Sequence, residues 1–346
     1  MFRFIAIAIF LSITPFGVSA HHSVGAFFDL SSPITIDGKI TSVRWRNPHV
    51  LMTIEQSSPD GGVQSWQVTS GGPGLLQRYG VTKEIAELGD RVSVSGFPTR
   101  SGSQEMLGVT ISVADGSKLP MFPSPLVKRF GLDLNPGVHI TEAAAAEGAI
   151  AARSIFRVWT YGRTMDRPVV NASFTSQALA GQELYNPLED DPALRCEAQG
   201  MPILMDNPFP MEFTDQGEKI ILELEVWDIE RTIYMKASMD ANLAGDQNAE
   251  AHRGTPLGYS VGHWEDSTLV VSTSDVDWAY FDDFGTPQSE LIESVERFTL
   301  SEDESRLDYE VTITDPETLL EPLVISWHWK WVPGEALGPY NCTLVE

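Results

Sequence analysis

Apolar and polar residues alternate over Lys39-Ile40-Thr41-Ser42-Val43-Arg44-Trp45, a period of two that predicts a half-buried strand. Ile34-Thr35-Ile36 leads into it through Asp37-Gly38, and Asn47-Pro48 interrupts it before Val50-Leu51-Met52-Thr53-Ile54 resumes. Pro59-Asp60-Gly61-Gly62 is a turn signal, after which Gln64 to Val68 runs back. Pro73 to Leu88 reads as a helix with its flanks. Arg91 to Gly96 and Met106 to Val113 read as two further strands. Five or so strands with one helix before the fourth predict a small Greek-key barrel of the oligonucleotide/oligosaccharide-binding (OB) shape over residues 21–116.

The pattern changes after Asp115-Gly116. Pro120, Pro123, Pro125 and Pro136 mark a linker over residues 117–154, in which Thr141 to Arg153 reads as a short alanine-rich helix with Thr141 as its N-cap. Residues 155–346 begin loop-rich and then become a run of strands. These are Ile220 to Asp228, Arg231 to Lys236, Thr268 to Thr273, Ser294 to Leu300, Arg306 to Thr314 and Val324 to Trp331. Nothing alternates with helices, which argues against a parallel α/β sheet. The fold expectation is therefore mainly β: a small OB-like barrel followed by a larger antiparallel β barrel or sandwich.

Residues 1–20 have a different character. Arg3 is their one charge, Phe4 to Ile13 is apolar, and Val18-Ser19-Ala20 places small residues where a signal peptidase cuts. A secretory signal is expected, with a soluble periplasmic or secreted mature chain and no membrane span in it. The formal charge of −25, from 48 acidic against 23 basic residues, repels phosphate backbones and speaks against nucleic acid as a partner. Cys196 and Cys342 are the two cysteines, and in an oxidising compartment an even pair reads as one disulfide, with two buried thiols as the alternative.

Several phrases resemble known families. Ala20-His21-His22-Ser23, Gly38-Lys39-Ile40 to Trp45 and Asn47-Pro48-His49 resemble the hallmark of DUF6152, a family of exported bacterial proteins. Asp190-Asp191-Pro192-Ala193-Leu194-Arg195-Cys196, Gly258 to Glu265 and Pro339-Tyr340-Asn341-Cys342 resemble a module common in uncharacterised bacterial proteins. The resemblance implies export and architecture and names no reaction.

The first functional expectation is copper binding. Cleavage after Ala20 makes His21 the first residue, so its α-amine and Nδ1 offer one chelate, and a further histidine completes three nitrogens. Cleavage one residue earlier puts His22 third, where the amine, two backbone nitrogens and its imidazole form a square-planar set. His49, at the break between two strands, is the expected partner. The bland alternative is a disordered terminus and a half-buried His49 hydrogen-bonded to backbone.

Gly258-Tyr259-Ser260-Val261-Gly262 fits the G-x-S-x-G pattern, but its surroundings are not strand-turn-helix. A serine hydrolase built on it needs Ser260 as nucleophile, His263 or His328 as base and Asp315 as orienter. The acidic run Asp275, Asp277, Asp282 and Asp283 offers hard oxygens for Ca²⁺, without EF-hand spacing, and reads first as a solvated loop. Glu296-Arg297 reads as an ion pair. Trp327, Trp329 and Trp331 share one face of a strand and either fill the interior or line a ligand cavity. The cavity reading makes the second domain a carrier, or an interaction module, for an apolar small molecule or an envelope protein.

Overall fold

A computed structural model describes residues 24–57, 61–85, 87–134, 139–161, 172–186, 189–235 and 254–343. The chain forms two β barrels in sequence. The first contains β1 (Ile34–Arg44), β2 (Leu51–Ser57), β3 (Val63–Thr69), β4 (Arg91–Pro98) and β5 (Glu105–Ser112). The strands pair in the order β3-β2-β1-β4-β5, and β3 closes the ring by pairing with β5 in parallel. That order, with a helical segment between β3 and β4, is the OB arrangement expected from the pattern.

Asp37-Gly38 makes no turn. β1 runs straight through it, giving Ile34 to Lys39 to β4 and Lys39 to Arg44 to β2. One long strand shared between two neighbours lets five strands curl into a closed barrel. Ile36, Ile40, Met52, Ile54, Val68 and Val94 point inward and are almost wholly buried. The helix expected over Pro73 to Leu88 shortens to Pro73–Gln77 and a single turn at Lys83–Ile85, because Gly80 at φ 78° stops the first segment. Leu76 of that short helix is fully buried with the barrel core.

The linker expected from the prolines is displaced. Lys118–Pro120 adds a strand, β6, to the edge of β5, and Pro125–Phe130 forms a helical turn capped by Ser124. An edge strand tolerates Pro120, whose missing N–H costs no ladder bond. Val127, Leu126, Phe130, Leu132 and Leu134 cover the outer face of β4 and β5, joined there by Val24 and Phe28. This second cover explains why Met106 to Ile111 is buried on both faces. The first folded unit therefore runs on to about Leu134, past the expected boundary at 116. Glu142–Ala151 is the alanine-rich helix, capped by Thr141 as its sequence suggests.

The second barrel has nine strands. They are β7 (Val158–Tyr161), β8 (Met211–Asp215), β9 (Lys219–Leu224), β10 (Ile229–Met235), β11 (Tyr259–Glu265), β12 (Thr268–Ser274), β13 (Glu293–Leu300), β14 (Arg306–Thr314) and β15 (Leu323–Trp331). Neighbours are antiparallel apart from β10 and β11, and β15 closes onto β7. Barrel, and not sandwich, is thus the outcome. β7, β8 and β11 were not expected as strands: β7 and β8 are short, and β11 carries Gly262. A disulfide joins Cys196 to Cys342 with Cα atoms 5.8 Å apart.

The two barrels meet along a polar seam. Arg78 forks onto Glu225, with Nη1 donating to Oε1 at 2.9 Å, and its Nε lies 3.3 Å from Glu335. Glu225 also accepts Gly338 N–H at 2.8 Å. Asn47 donates its side-chain N–H to the Tyr340 carbonyl, and its backbone bridges Cys342. The segment after β15 is thereby tied to both barrels, while Tyr340 N–H donates to Asp228 at 2.7 Å.

Candidate functional site

His49 lies between β1 and β2, just after the cis Asn47-Pro48 bond. Asn47 is turned toward the second barrel, whereas His49 is exposed. Its Nδ1 sits 2.8 Å from the Ser70 carbonyl oxygen. A carbonyl accepts only, so in that bond Nδ1 is the donor, and in the neutral ring the lone pair falls on Nε2. Ligating histidines in metalloproteins commonly have their second ring nitrogen held in this way.

His21 and His22 lie outside the described residues, so their relation to His49 is not part of the geometry. The chain becomes described at Val24, where a short helix, Val24–Phe27, opens the first barrel. Val24 and Phe122 belong to one apolar cluster, and Met121, beside Phe122, accepts the Gly71 N–H at 2.8 Å. The segment that supports His49 at Ser70-Gly71 is therefore a neighbour of the segment against which Val24 packs. Among the described residues, no group of three or more His, Cys, Asp or Glu is placed to hold a metal ion.

The hydrolase residues do not come together. Ser260 lies within β11 and is buried, where it accepts from Arg231 Nε at 3.1 Å and pairs with Thr273 at 3.0 Å. His263 is three positions along the same strand, so it projects to the opposite face, where it meets Glu265 at 3.2 Å. His328 is on β15, and burial and then Arg306 push its pKa below the usual histidine value. Asp315 pins a turn, accepting from Ser289 Oγ at 2.7 Å and Thr318 Oγ1 at 2.8 Å.

Ser260 belongs instead to a polar cluster inside the second barrel. Arg231 donates from Nη1 to Glu296 at 3.1 Å and from Nη2 to Thr273 at 2.8 Å, and Tyr309 O–H donates to Glu296 at 2.9 Å. Burial, and then the Glu296 charge, push the Tyr309 hydroxyl far above its ordinary pKa, so it stays a donor. The expected Glu296-Arg297 pair is corrected here. Neighbours on a strand face opposite ways, and Arg297 pairs outside with Glu265 at 2.7 Å.

The tryptophan row faces the same packed interior. Trp329 is 1% exposed, and Tyr309 lies 4.4 Å from Trp327 and 5.2 Å from Trp329 between ring centres. Trp331 is covered by the Arg157 guanidinium at 4.4 Å. Phe213 and Phe298 complete the layer. Trp329 is part of the packed core, and Trp327 and Trp331 are half-buried against it, the arrangement that the interior-filling alternative describes. The acidic run is also spoken for in part: Asp282 accepts Phe284 N–H, Thr286 N–H and the Thr286 hydroxyl.

With the geometry in place, the comparisons add one name. Residues 10–108 match DUF6152, a family of unknown function. The N-terminal part of the chain is thus DUF6152-like, and the match spans the first barrel from its opening strand into β5. His49 and its Ser70 support both fall within the DUF6152 region, whereas the second barrel lies beyond it. No curated protein matches the chain. No helix among the described residues is long and apolar enough to cross a membrane.

Proposed function

We propose that the protein is exported and binds copper at its mature N-terminus, with His21 or His22 supplying the chelate and His49 completing it. The observation that carries the reading is the bond between His49 Nδ1 and the Ser70 carbonyl, 2.8 Å long. It orients an exposed imidazole and directs the basic character of its neutral form to Nε2, the nitrogen that meets a metal. The seating of Val24 beside the Phe122 segment supports the same reading, because His21 and His22 immediately precede it in sequence. Imidazole and amine nitrogen are copper ligands by preference, and copper stands at the top of the divalent affinity order.

The test begins with N-terminal sequencing of the exported protein and continues with Cu(II) titration followed by electron paramagnetic resonance. A chain beginning at His21 should bind one copper with a nitrogen-rich axial spectrum. His49→Ala should change that spectrum and weaken binding by about 10–100-fold. A residue added ahead of His21 should abolish tight binding. Equal binding by the extended form, or an unchanged spectrum in His49→Ala, overturns the reading.

A further inference from the structure

Residues 332–343, which follow β15, form no helix and no strand beyond a single bridge at Cys342. They nevertheless touch three other parts of the chain in turn. Gly334 lies against the alanine-rich helix, where a Cβ added at Gly148 would meet its amide nitrogen at 2.4 Å. Glu335 then reaches Arg78 of the first barrel at 3.3 Å. Gly338 and Tyr340 turn to the second barrel, and their N–H groups donate to Glu225 at 2.8 Å and to Asp228 at 2.7 Å. The Tyr340 ring is buried against Phe209 and Trp227, at 5.4 and 4.9 Å between ring centres. The segment is a strap, and its last fixed point is the bond from Cys342 to Cys196.

What the strap holds is the turn that carries His49. Asn47 is 5% exposed, and its side chain and main chain are both engaged. Its Nδ2 donates to the Tyr340 carbonyl, its own carbonyl accepts Thr343 N–H at 3.3 Å, and its backbone bridges Cys342. Gly72 closes in from the other side, so near that an added Cβ would meet Asn47 Oδ1 at 2.2 Å and the Pro48 carbonyl at 2.9 Å. Asn47-Pro48 is thus clamped between the strap and the Ser70-Gly71-Gly72 segment.

The far side of His49 is held differently. Val50 N–H donates to Gly71 at 3.2 Å, and Ser70 N–H donates to the Val50 carbonyl at 3.0 Å. The first barrel fixes Val50 by itself, whereas Asn47 is fixed by the C-terminal strap. His49 stands between them, and the main chain on both sides sets where its ring can meet the Ser70 carbonyl. Partners that orient a ligating histidine weigh about 10–100-fold in metal affinity. The residue type at position 47 fits this task, because an amide donates to a carbonyl and an ionised carboxylate of the same shape only accepts.

We propose that the strap is a positioning element for His49 and that the Cys196–Cys342 bond is its clasp, so that the thiol–disulfide state of this pair sets how tightly the copper site holds its ion. This rests on the copper reading of His49. The clasp is opened by a dithiol reductant. One of its thiolates attacks the bond and forms a mixed disulfide, and its second thiolate then displaces the remaining cysteine. Two electrons and two protons pass to the protein, leaving two cysteine thiols and an oxidised reductant. Opening releases Cys342 and Thr343 from their anchor, while Tyr340 stays held by its ring and by Asp228. The clamp on Asn47 loosens by a step and does not vanish.

The test uses the whole mature protein and two variants. Cys196→Ser with Cys342→Ser opens the clasp without thiols that would themselves bind copper. Asn47→Asp removes the donor to Tyr340. Histidine-selective ¹⁵N NMR of the metal-free protein at about pH 8, where an ordinary imidazole is neutral, reads the tautomer of His49. The parent should carry its proton on Nδ1. The double-serine variant, the parent reduced with a phosphine, and most of all Asn47→Asp should shift population toward the Nε2–H form. Cu(II) affinity should fall about tenfold in the double-serine variant and by up to about 100-fold in Asn47→Asp. The Val50 amide should stay protected from hydrogen exchange throughout, which a general loss of the first barrel would not allow; if Asn47→Asp loses that protection, the double-serine variant decides. An unchanged tautomer, or a shifted tautomer with unchanged copper affinity, overturns the proposal and leaves the copper reading standing. A parent that does not bind copper overturns the copper reading, and the regulation with it.

Discussion

Among the described residues lie two buried Arg–Glu forks, and they hold different things. Arg231 and Glu296 are enclosed within the second barrel, with side chains 1% and 0% exposed. Arg78 and Glu225 join the first barrel to the second, at 8% and 2%. The inner pair is embedded in a network whose members Arg231, Ser260, Thr273, Glu296 and Tyr309 come one each from β10, β11, β12, β13 and β14. It therefore reads the register of five successive strands at once. The outer pair reads something coarser, the seating of one barrel on the other, through Arg78, Glu225 and the Gly338 amide. Burying two charges is costly enough that such pairs add little net stability, and register or arrangement is the better explanation of each.

Breaking the inner pair is the sharpest way to test that contrast. Glu296→Ala leaves Arg231 charged in a dry interior and should cost about 3–5 kcal/mol, read as a fall in the urea midpoint. Replacing the two charged members together with Tyr309 tests the register idea from the other side. Arg231→Met with Glu296→Leu and Tyr309→Phe should be within about 1 kcal/mol of the parent or more stable. If register is what the network supplies, the triple variant should still show broadened strand resonances in amide NMR spectra. Sharp, parent-like spectra would reduce the network to a dispensable core feature.

The outer pair should yield less. Arg78→Met leaves Glu225 with the Gly338 amide, and a cost of about 1–3 kcal/mol is expected. Its signature should be local: faster proteolysis between the barrels, with the second barrel's own unfolding transition unchanged. An equal drop in both transitions would show that the seam is part of one cooperative unit.

The smallest effect concerns Asp315, which resembles the inner glutamate in being a buried carboxylate but is held by hydroxyls and amides. Burial alone would raise its pKa; the bonds from Ser289 and Thr318 outweigh that and hold it below the ordinary aspartate value. Its folded pKa is depressed, so its contribution to stability is complete above the unfolded value, near about 3.9, and fades as pH falls through the folded one. Asp315→Asn should therefore flatten the stability–pH curve below about pH 4 and lower it at neutral pH. An unchanged acid limb would assign acid sensitivity to other carboxylates.

The sequence was most readable where the physics is local. Period-two alternation located all five strands of the OB barrel, and the interruption at Asn47-Pro48 placed His49 between β1 and β2. Thr141 announced its helix by chemistry alone. Two sites were obscured by neighbours in sequence. Glu296 beside Arg297 suggested a pair that strand geometry forbids, although Glu296 shares its inward parity with Ser294 and Phe298. The glycines around Ser260 drew attention from the alternation of Tyr259, Val261 and His263 that marks β11. Pro120 and Pro125 suggest a linker, whereas Phe122 between them and Leu126, Leu132 and Leu134 after them are the stronger signal. The ring contact of Tyr185 with Tyr280 had no local signature. Tyr185 and Tyr280 lie in loops outside the strands, one before β8 and one between β12 and β13, and no periodicity reports such an encounter.

The bond between Cys196 and Cys342 has one more consequence. Cys342 follows β15, so the partner for Cys196 is translated only after every strand of the second barrel. Until then Cys196 waits as a lone thiol, and the segment that bridges Asn47 does not yet exist. A chain cut short anywhere in the second barrel therefore lacks the partner of Cys196, and this bond can close only on a chain that carries all nine strands.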